Sequence, residues 1–296
     1  MPELPDVTIY AERLTEMLGG QVLEKVRLRS PFLLRTADPP LSDLEGQRFL
    51  GAGRMQKRLV FGFDGGAWLV LHLMIAGRLR LHERGAALPK KTGLLALDFS
   101  RDTVVLTEQG TQRRASLHVL RSREEAKRLD RGGIDALAAS ESEFMLALKR
   151  DNRTLKRALT DQAILGGIGN AYSDELLFWA QLSPVRRTHS LTQDEVSRLY
   201  VAMRQTLLEW TGFLRREVGA GFPDRVTAFR PEMAVHGKFD QPCRLCNARI
   251  QRIRYANSET NYCPRCQTGG KLLADRSLSR LLKGDFPKTI EELEGV

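Results

Sequence analysis

Two stretches of the sequence carry residues able to do covalent or metal chemistry. The chain begins Met-Pro-Glu-Leu-Pro-Asp, so removal of Met1 would leave Pro2 with a free secondary amine. A free α-amine has a pKa of about 8, and its neutral form can attack an aldehyde-level carbon to give a Schiff base. Glu3 stands next to it as a candidate proton shuttle. Read alone, these residues favour an ordinary chain terminus, because proline is common near termini.

The second stretch holds all four cysteines of the chain. Cys243 and Cys246 form one CxxC pair, and Cys263 and Cys266 form another after a spacer of sixteen residues. Two CxxC pairs at this spacing are typical of tetrahedral zinc, and four thiolate ligands leave no open position for water. We therefore predict one structural Zn²⁺, because the alternative of disulfides suits a reducing compartment poorly.

The charge balance indicates the kind of partner. Lys and Arg number 46 against 36 Asp and Glu, which gives a formal net charge of +10. An excess of this size favours a polyanion, nucleic acid first and an acidic membrane surface second, although plain solubility also explains it. We find no apolar run of about 18 residues and no secretory signal pattern, so we expect a soluble cytoplasmic protein that does not enter membranes.

The first half of the chain changes from helical to strand-like periodicity. A helix is predicted over Asp6 to Leu18, ended by two glycines. From Gln21 to about Leu120, short apolar or alternating runs separated by turn residues predict an antiparallel β domain, a sandwich or a barrel. The predicted strands cover Arg58 to Phe63, Trp68 to Leu73, Leu94 to Phe99 and Thr103 to Leu106.

Residues 141–217 have helical periodicity. Thr192 and Glu195 form a predicted capping box, with Leu191 and Val196 placed for a hydrophobic staple. One buried helical face is predicted to consist of Val196, Leu199, Tyr200, Met203, Leu207 and Trp210. A loop from Gly219 to Arg230 then leads to the cysteines, and a basic run near Lys271 to Lys283 follows them.

A glycine-rich segment, Ile164 to Glu175, interrupts the helical region. Its glycines suggest a tight turn whose backbone N–H groups face a phosphate, with Asn170 adding a side-chain donor. The order of glycines does not match a nucleotide-binding loop. A helix junction without a ligand is the alternative.

These stretches together resemble one known family. PELPDV at the start, GGIGNAYSDELLF in the middle and CxxC-x16-CxxC at the end are similar to the bacterial formamidopyrimidine-DNA glycosylase and endonuclease VIII (Fpg/Nei) family, from Pro2 to Gln267. The resemblance implies an α+β multidomain fold with an N-terminal antiparallel β-sandwich, a helix–two-turn–helix domain and a C-terminal four-cysteine zinc finger. We place these domains at residues 1–132, 133–230 and 231–270, with a C-terminal tail at 271–296.

The resemblance also implies an activity on damaged DNA. Family members flip an oxidised base out of the duplex, attack C1′ with the terminal proline amine and cut the strand by β-elimination. By this resemblance Pro2 is the nucleophile, Glu3 assists ring opening, and Lys57 contacts phosphate and assists elimination. A monomer of bacterial cytoplasm, working at the nucleoid, is expected.

Four further residues match DNA contacts of the family. His72 matches a phosphate-contacting histidine, Asn170 matches the contact of the helix–two-turn–helix, and Lys156 lies in register with a third contact. Arg113 matches a residue that faces the orphaned base. The alternatives are ordinary ones: a solvated lysine at 57, a buried strand histidine at 72 and a charged helix face at 156.

The sequence departs from the family pattern in two places. In the finger, where the family reads GRxTxxC, Ser258 replaces a phosphate-gripping Arg and Glu259 adds a negative charge, which puts δ-elimination in doubt. In the loops that fill the space of a flipped base, Met74 stands where Gly is usual, Ile75 replaces Met, and Ala115 is too small to act as the aromatic wedge. Asp6 replaces the usual Glu and keeps the carboxylate.

Two hypotheses follow for the function. The first is a bifunctional DNA glycosylase and abasic-site lyase, favoured by the presence of Pro2, Glu3 and Lys57. The alternative is a non-enzymatic DNA-binding protein on the same scaffold, favoured by the altered finger and wedge residues. A zinc-ribbon adaptor would account for the cysteines but not for the N-terminal sequence.

Overall fold

The structure of the protein, a computed structural model, describes residues 1–110, 112–255, 258–273 and 287–294. Thr111, Asn257 and most of the predicted basic run, from residue 274 onward, therefore lie outside the described residues. No described helix is long and apolar enough to cross a membrane.

The chain forms two compact units. The first consists of Met1–Arg131 and Glu209–Thr227, and the second of Gly132–Leu208 and Ala228–Val296. Each unit is therefore built from two separate stretches of chain. The domain limits expected from the sequence remain predictions.

The first unit is a helix followed by an antiparallel β-sandwich. Helix α1, Leu4–Leu18, starts two residues earlier than predicted because Pro5 in the first turn suits a helix start. The strands are β1 Leu23–Leu28, β2 Phe49–Met55, β3 Arg58–Phe63, β4 Trp68–His72, β5 Gly77–Glu83, β6 Gly93–Phe99, β7 Asp102–Glu108 and β8 Ser116–Leu120. A short helix, α2 Arg123–Lys127, follows them.

Two four-stranded sheets make up the sandwich. Their strand orders are β1-β6-β7-β5 and β2-β3-β4-β8, and every pairing in them is antiparallel. Both sheets and α1 contribute to one core, in which Phe49 contacts the rings of Phe61, Phe63 and Phe99. The predicted β-sandwich is therefore confirmed.

Residues 209–227 complete the first unit. Arg13 of α1 donates from Nε to the carbonyl of Gly221 (2.7 Å), and Arg215 forms a two-bonded ion pair with Glu12. The rings of Tyr10 and Phe222 lie 5.6 Å apart. Helix α1 is thus fixed by residues that follow it by about two hundred positions.

The second unit is mainly helical. Its elements are β9 Ile134–Asp135, α3 Glu141–Lys149, α4 Leu155–Thr160, β10 Leu165–Gly166, α5 Asn170–Trp179 and the first part of α6 Gln193–Val218. Thr192 and Glu195 cap α6 as predicted: Glu195 N donates to Thr192 Oγ1 (3.2 Å), and Thr192 N donates to Glu195 Oε2 (2.9 Å).

The C-terminal part of the second unit contains the cysteines. Strands β11 Gln251–Tyr255 and β12 Ser258–Tyr262 pair antiparallel, and we call this pair the finger hairpin. Helix α7, Pro264–Thr268, follows the hairpin, and helix α8, Ile290–Glu294, lies near the end of the chain.

Candidate active site and metal centre

The first residues of the chain form a buried group in the first unit. Pro2 is buried, and Glu3 is 2 % exposed. Glu3 is the residue before α1, and its backbone N–H donates to Asp6 Oδ2 (2.9 Å). Asp6 therefore caps the helix that carries the predicted nucleophile, as a carboxylate in a first helical turn should.

Charged groups surround the terminal amine. Met1 precedes Pro2, so the Pro2 nitrogen is an amide in this chain, and the amine belongs to Met1. Burial lowers the pKa of the Met1 amine; Glu3 and Asp6 oppose that shift, while Arg78 and Lys57 add to it. We call Pro2, Glu3, Asp6, Lys57 and Arg78 the N-terminal pocket. The shift belongs to the Met1 amine, and its causes place the charges of Glu3, Asp6, Lys57 and Arg78 around the start of the chain.

Lys57 lies in the two-residue turn between β2 and β3. Met55 pairs with Arg58 across that turn, and Gln56 has φ of 53°, a left-handed conformation that favours glycine. Lys57 is 5 % exposed, so the alternative of a solvated surface lysine is wrong. Gln56 Nε2 donates to Asp130, which ties the turn to the end of the first stretch of this unit.

His72 ends strand β4. The backbone N–H of Met74 donates to its Nδ1 (2.9 Å), which requires the neutral ring at that nitrogen. Burial lowers the pKa of His72 to about 4, and the positive charges of Arg58 and Lys57 act in the same direction. His72 is therefore a neutral imidazole at neutral pH and offers only Nε2–H as a donor.

The two predicted wedge loops differ in exposure. Ile75 is 61 % exposed beside Met74, whose φ is 52°, whereas Ala115 is 3 % exposed. The carboxylate of Glu108 accepts the backbone N–H groups of Arg114 and Ala115 and so fixes the second loop. Arg113 is exposed and donates to the Lys91 carbonyl.

In the second unit, the glycine-rich segment is a buried junction. Residues 164–169 are buried, and the N–H of Gly167 donates to Gln162 Oε1 (2.9 Å). The expectation that the glycines expose backbone N–H groups is therefore wrong for Gly167, because a side chain of the same unit takes that donor. Asn170 begins α5, and its Nδ2 donates to the Glu259 carbonyl of the finger hairpin (2.9 Å).

Lys156 belongs to a buried ionic cluster. Its Nζ donates to the Asn170 carbonyl (2.7 Å) and forms an ion pair with Asp174 Oδ1, and the residue is 8 % exposed. Asp174 Oδ2 also contacts His236 Nδ1 (2.8 Å) and accepts the N–H of Asn261 (3.2 Å). The alternative of a solvated helix face for Lys156 is thus wrong.

Glu175 is a second buried acid on the same helix. Its carboxylate accepts three consecutive backbone N–H groups, from Ala234 (2.7 Å), Val235 (2.9 Å) and His236 (2.9 Å). Burial raises the pKa of Glu175, and the three backbone donors oppose that shift. These contacts fasten the segment before the cysteines to α5.

The four cysteines converge on one point. Their Sγ atoms all lie within 4.8 Å of one another, with Cys243 to Cys266 at 3.9 Å and Cys246 to Cys263 at 3.4 Å. A tetrahedral zinc with Zn–S bonds of about 2.3 Å needs sulfurs about 3.8 Å apart. The residues therefore fit one structural Zn²⁺.

Comparisons with known proteins cover most of the chain. Family profiles described as the formamidopyrimidine-DNA glycosylase N-terminal domain, its H2TH domain and a zinc finger found in FPG and IleRS match residues 1–116, 133–211 and 240–269. Formamidopyrimidine-DNA glycosylases of Thermus thermophilus and Heliobacterium modesticaldum are 34% and 35% identical, over 91% and 90% of this chain and 100% of each relative. The chain belongs to the formamidopyrimidine-DNA glycosylase family.

Solved structures agree with this family in their fold. A complex of Lactococcus lactis Fpg with DNA containing an abasic site has a TM-score of 0.79 at 24% identity, covering 90% of this chain and 99% of that one. A complex of a Lactococcus lactis FPG mutant with Fapy-dG-containing DNA has a TM-score of 0.78 at 25% identity, covering 90% and 100%. The predicted α+β architecture with its four-cysteine zinc finger is confirmed.

The finger hairpin contains Ser258 and Glu259, one of the two places where the sequence is expected to depart from the family pattern. Arg252 lies over the Phe239 ring (3.9 Å to the centroid) and contacts Glu259 Oε2 (3.4 Å). Glu259 is thus partly neutralised, and Arg252 is already engaged inside the finger. Ser258 is exposed at the start of β12, opposite Tyr255.

Sequence reasoning misses four residues of these sites. Arg78 is one of them, and its Nε donates to the Val226 carbonyl (2.8 Å). Asp174, Glu175 and His236, which form a buried cluster, are the others. Two adjacent acids within the apolar run Ala171–Trp179 are an available signal, because buried carboxylates need partners.

Proposed function

We propose that the protein is a bifunctional DNA glycosylase and abasic-site lyase that excises oxidised bases. The observation that carries the proposal is the N-terminal pocket: Pro2 and Glu3 are buried together, and Lys57 and Arg78 act on the adjacent amine. Its relatives are named as glycosylases acting on formamidopyrimidine, and an oxidised purine of that class is the proposed substrate.

The proposed chemistry begins once Met1 has been removed. The Pro2 nitrogen attacks C1′ of the deoxyribose, the bond from C1′ to the base breaks, and the base leaves with its electron pair and takes up a proton. Glu3 protonates the ring oxygen as the sugar opens, which gives an iminium between Pro2 and C1′. Loss of a C2′ proton then expels the 3′ phosphate by β-elimination and cuts the strand.

The proposed DNA contacts come from both units. In the first unit, Lys57 and the Nε2–H of His72 meet phosphates, and Arg113 faces the base left without a partner. In the second unit, Asn170 meets a phosphate, and Lys156 supports it through the Asn170 carbonyl as well as by its own charge. Because Ser258 offers no charge at the finger hairpin, β-elimination is the proposed end point and δ-elimination is not.

A second function is supported by two observations. The small, buried Ala115 and the uncharged Ser258 weaken base displacement and phosphate grip, as in a protein that binds damaged DNA without cutting it. We favour the enzyme because Pro2, Glu3 and Lys57 are all present and buried. We further propose that it works as a cytoplasmic monomer at the nucleoid.

The proposal is tested by borohydride trapping on duplex DNA that carries an abasic site. Reduction fixes the iminium as a covalent adduct between protein and DNA. Wild type with Met1 removed, as verified by mass spectrometry, is compared with the same protein carrying an uncleaved N-terminal tag. A C-terminal tag of the same sequence is the matched control.

The expected result is an adduct with wild type and with the C-terminal tag, and none with the N-terminal tag. Peptide mapping should place the link at Pro2. If correctly processed wild type binds the DNA but forms no adduct, the enzymatic proposal is overturned and the DNA-binding alternative takes its place.

A further inference from the structure

The end of the chain returns to the zinc finger. The family profile of the zinc finger ends at residue 269. The T. thermophilus relative is matched over its whole length, but the match covers only 91% of this chain. Residues 271–273 and 287–294 are nevertheless part of the folded finger. We call residues 287–294 the return segment.

Backbone hydrogen bonds join the return segment to the residues after α7. Leu272 N donates to the Lys288 carbonyl (2.8 Å), Ile290 N donates to the Gly270 carbonyl (2.8 Å), and Lys271 and Thr289 form an antiparallel bridge. Gly270 has φ of 88°, which turns the chain toward its partner. The contact is thus a short strand pairing rather than a loose surface contact.

Ile290 then enters the core that surrounds the metal ligands. It is 0 % exposed, in one cluster with Cys243, Cys263, Ala248 and Ile250. The cluster has few buried members, so one isoleucine is a large part of its apolar contact. Losing it would leave a cavity in the buried cluster that contains Cys243 and Cys263.

The same residues also connect to the finger hairpin. The N–H of Leu273 donates to Tyr262 Oη (2.8 Å), and Tyr262 is the last residue of β12. Cys263 follows it directly. The chain on both sides of this metal ligand is therefore held by residues outside the finger profile.

We propose that the return segment is a structural part of the zinc finger and sets how firmly the finger retains its metal, with Ile290 as the positioning residue. A ligand can leave zinc only if its loop moves away, and the strand pairing and the buried Ile290 oppose that movement for Cys243 and Cys263. The finger of this chain thus has a third element besides its two CxxC turns. The proposal does not depend on glycosylase activity.

The test is the rate at which zinc passes from the full-length protein to an excess of the chromogenic chelator 4-(2-pyridylazo)resorcinol. Ile290→Asp places a charge in the finger core, and we expect roughly tenfold or faster release than from wild type. Ile290→Val keeps the shape of the side chain and should restore release to within about twofold. Leu146→Asp, at a position 70% exposed on α3 of the same unit, is the matched control and should release zinc like wild type.

Amide hydrogen exchange provides a second readout that does not need the metal to leave. In Ile290→Ala, exchange at Leu272, Ile290 and Leu273 should be at least about tenfold faster, while exchange in the β-sandwich stays unchanged. Equal zinc release from Ile290→Asp and Leu146→Asp, or unchanged exchange at these amides in Ile290→Ala, would overturn the proposal.

Discussion

The N-terminal pocket and the finger hairpin match, to different degrees, the residues that the family resemblance leads us to expect. In the pocket, Pro2, Glu3 and Lys57 are all present and all buried, and neighbouring groups hold them. In the hairpin, the expected arginine is an exposed serine, and the acid beside it is balanced by Arg252. Buried charges with several partners tolerate few single changes, whereas an exposed contact to DNA can be lost without harm to the fold.

Zinc removal should produce the largest difference between the two regions, because only the finger should unfold. Structural zinc contributes roughly 10–16 kcal/mol to the folding of isolated zinc-finger peptides, so a chelator should unfold the finger and weaken DNA binding. The β-sandwich and its pocket should keep their hydrogen-exchange protection. Protection that persisted in the finger after complete zinc removal would contradict the metal assignment, and adding zinc back is the control for reversibility.

Glu3→Gln should have the next largest effect, confined to chemistry. Loss of a positioned proton donor should slow iminium formation by roughly 10²- to 10⁴-fold, measured as the rate of borohydride trapping under single-turnover conditions. DNA affinity should change little. Glu16→Gln, at an exposed position on the same helix, controls for the loss of a carboxylate. A normal trapping rate for Glu3→Gln would remove Glu3 from the mechanism.

Ser258→Arg should bring the finger hairpin closer to its family. A new charge-assisted contact with phosphate is worth about 1.5–3 kcal/mol, or roughly 10- to 150-fold in affinity for abasic-site DNA. Gln241→Arg adds the same charge at another exposed position of the finger and should gain much less.

An equal gain from both variants would mean that only net charge matters, and the hairpin would then have no special place in binding. The gain for Ser258→Arg should shrink as salt rises, because phosphate contacts release counterions.

His72 should make the pocket region sensitive to acid. Its pKa is lowered to about 4 in the folded protein, against an ordinary value of about 6.5 in the unfolded chain. Between these two pKa values the unfolded chain binds more protons than the folded protein. The free energy of unfolding therefore falls as pH falls from 6.5 towards 4, and at pH 5 it is lower by about 2 kcal/mol than at neutral pH. Urea unfolding of wild type and of His72→Asn, at about pH 7.5 and at pH 5, should show that the free energy of unfolding falls less with acid in the variant. Identical losses would place the acid sensitivity elsewhere.

Met74→Gly should give the smallest effect, a small increase in stability. Met74 holds a left-handed conformation that costs a residue with a Cβ about 1 kcal/mol. Glycine removes this strain, so the urea midpoint should rise unless the lost side-chain contacts offset it. Ile75→Gly, at a neighbouring position without positive φ, should lower the midpoint. A fall for both variants would mean that the strain at Met74 is negligible.

The sandwich and the long helix can be predicted from the sequence because the spacing of apolar residues indicates which side chains are buried. Strand β3 has the limits that its apolar pattern predicts, and side-chain chemistry alone predicts the cap of α6 at Thr192 and Glu195. The metal centre can be predicted equally well, because the CxxC spacing determines which sulfur atoms come together. These features depend on contacts that are close in sequence.

Features that depend on contacts between residues far apart in sequence cannot be predicted in the same way. The burial of Lys156 requires Asp174, and the fixing of Asp174 requires His236 and Asn261, which lie far along the chain on other elements. Similarly, no local pattern shows that Ile290 joins the buried cluster that contains Cys243. A lysine on a helix and an isoleucine near a terminus have no periodic signature that identifies their partners.

The late residues that hold α1 bear on the timing of the chain's own synthesis. Arg13 is bound by Gly221, and Glu12 by Arg215, so α1 cannot acquire these contacts while Arg215 and Gly221 are still untranslated. Chains emerge at about 5–20 residues per second, which leaves the first residues accessible for roughly ten seconds or more. An aminopeptidase that acts on the nascent chain therefore meets Met1 in the open, before folding encloses it.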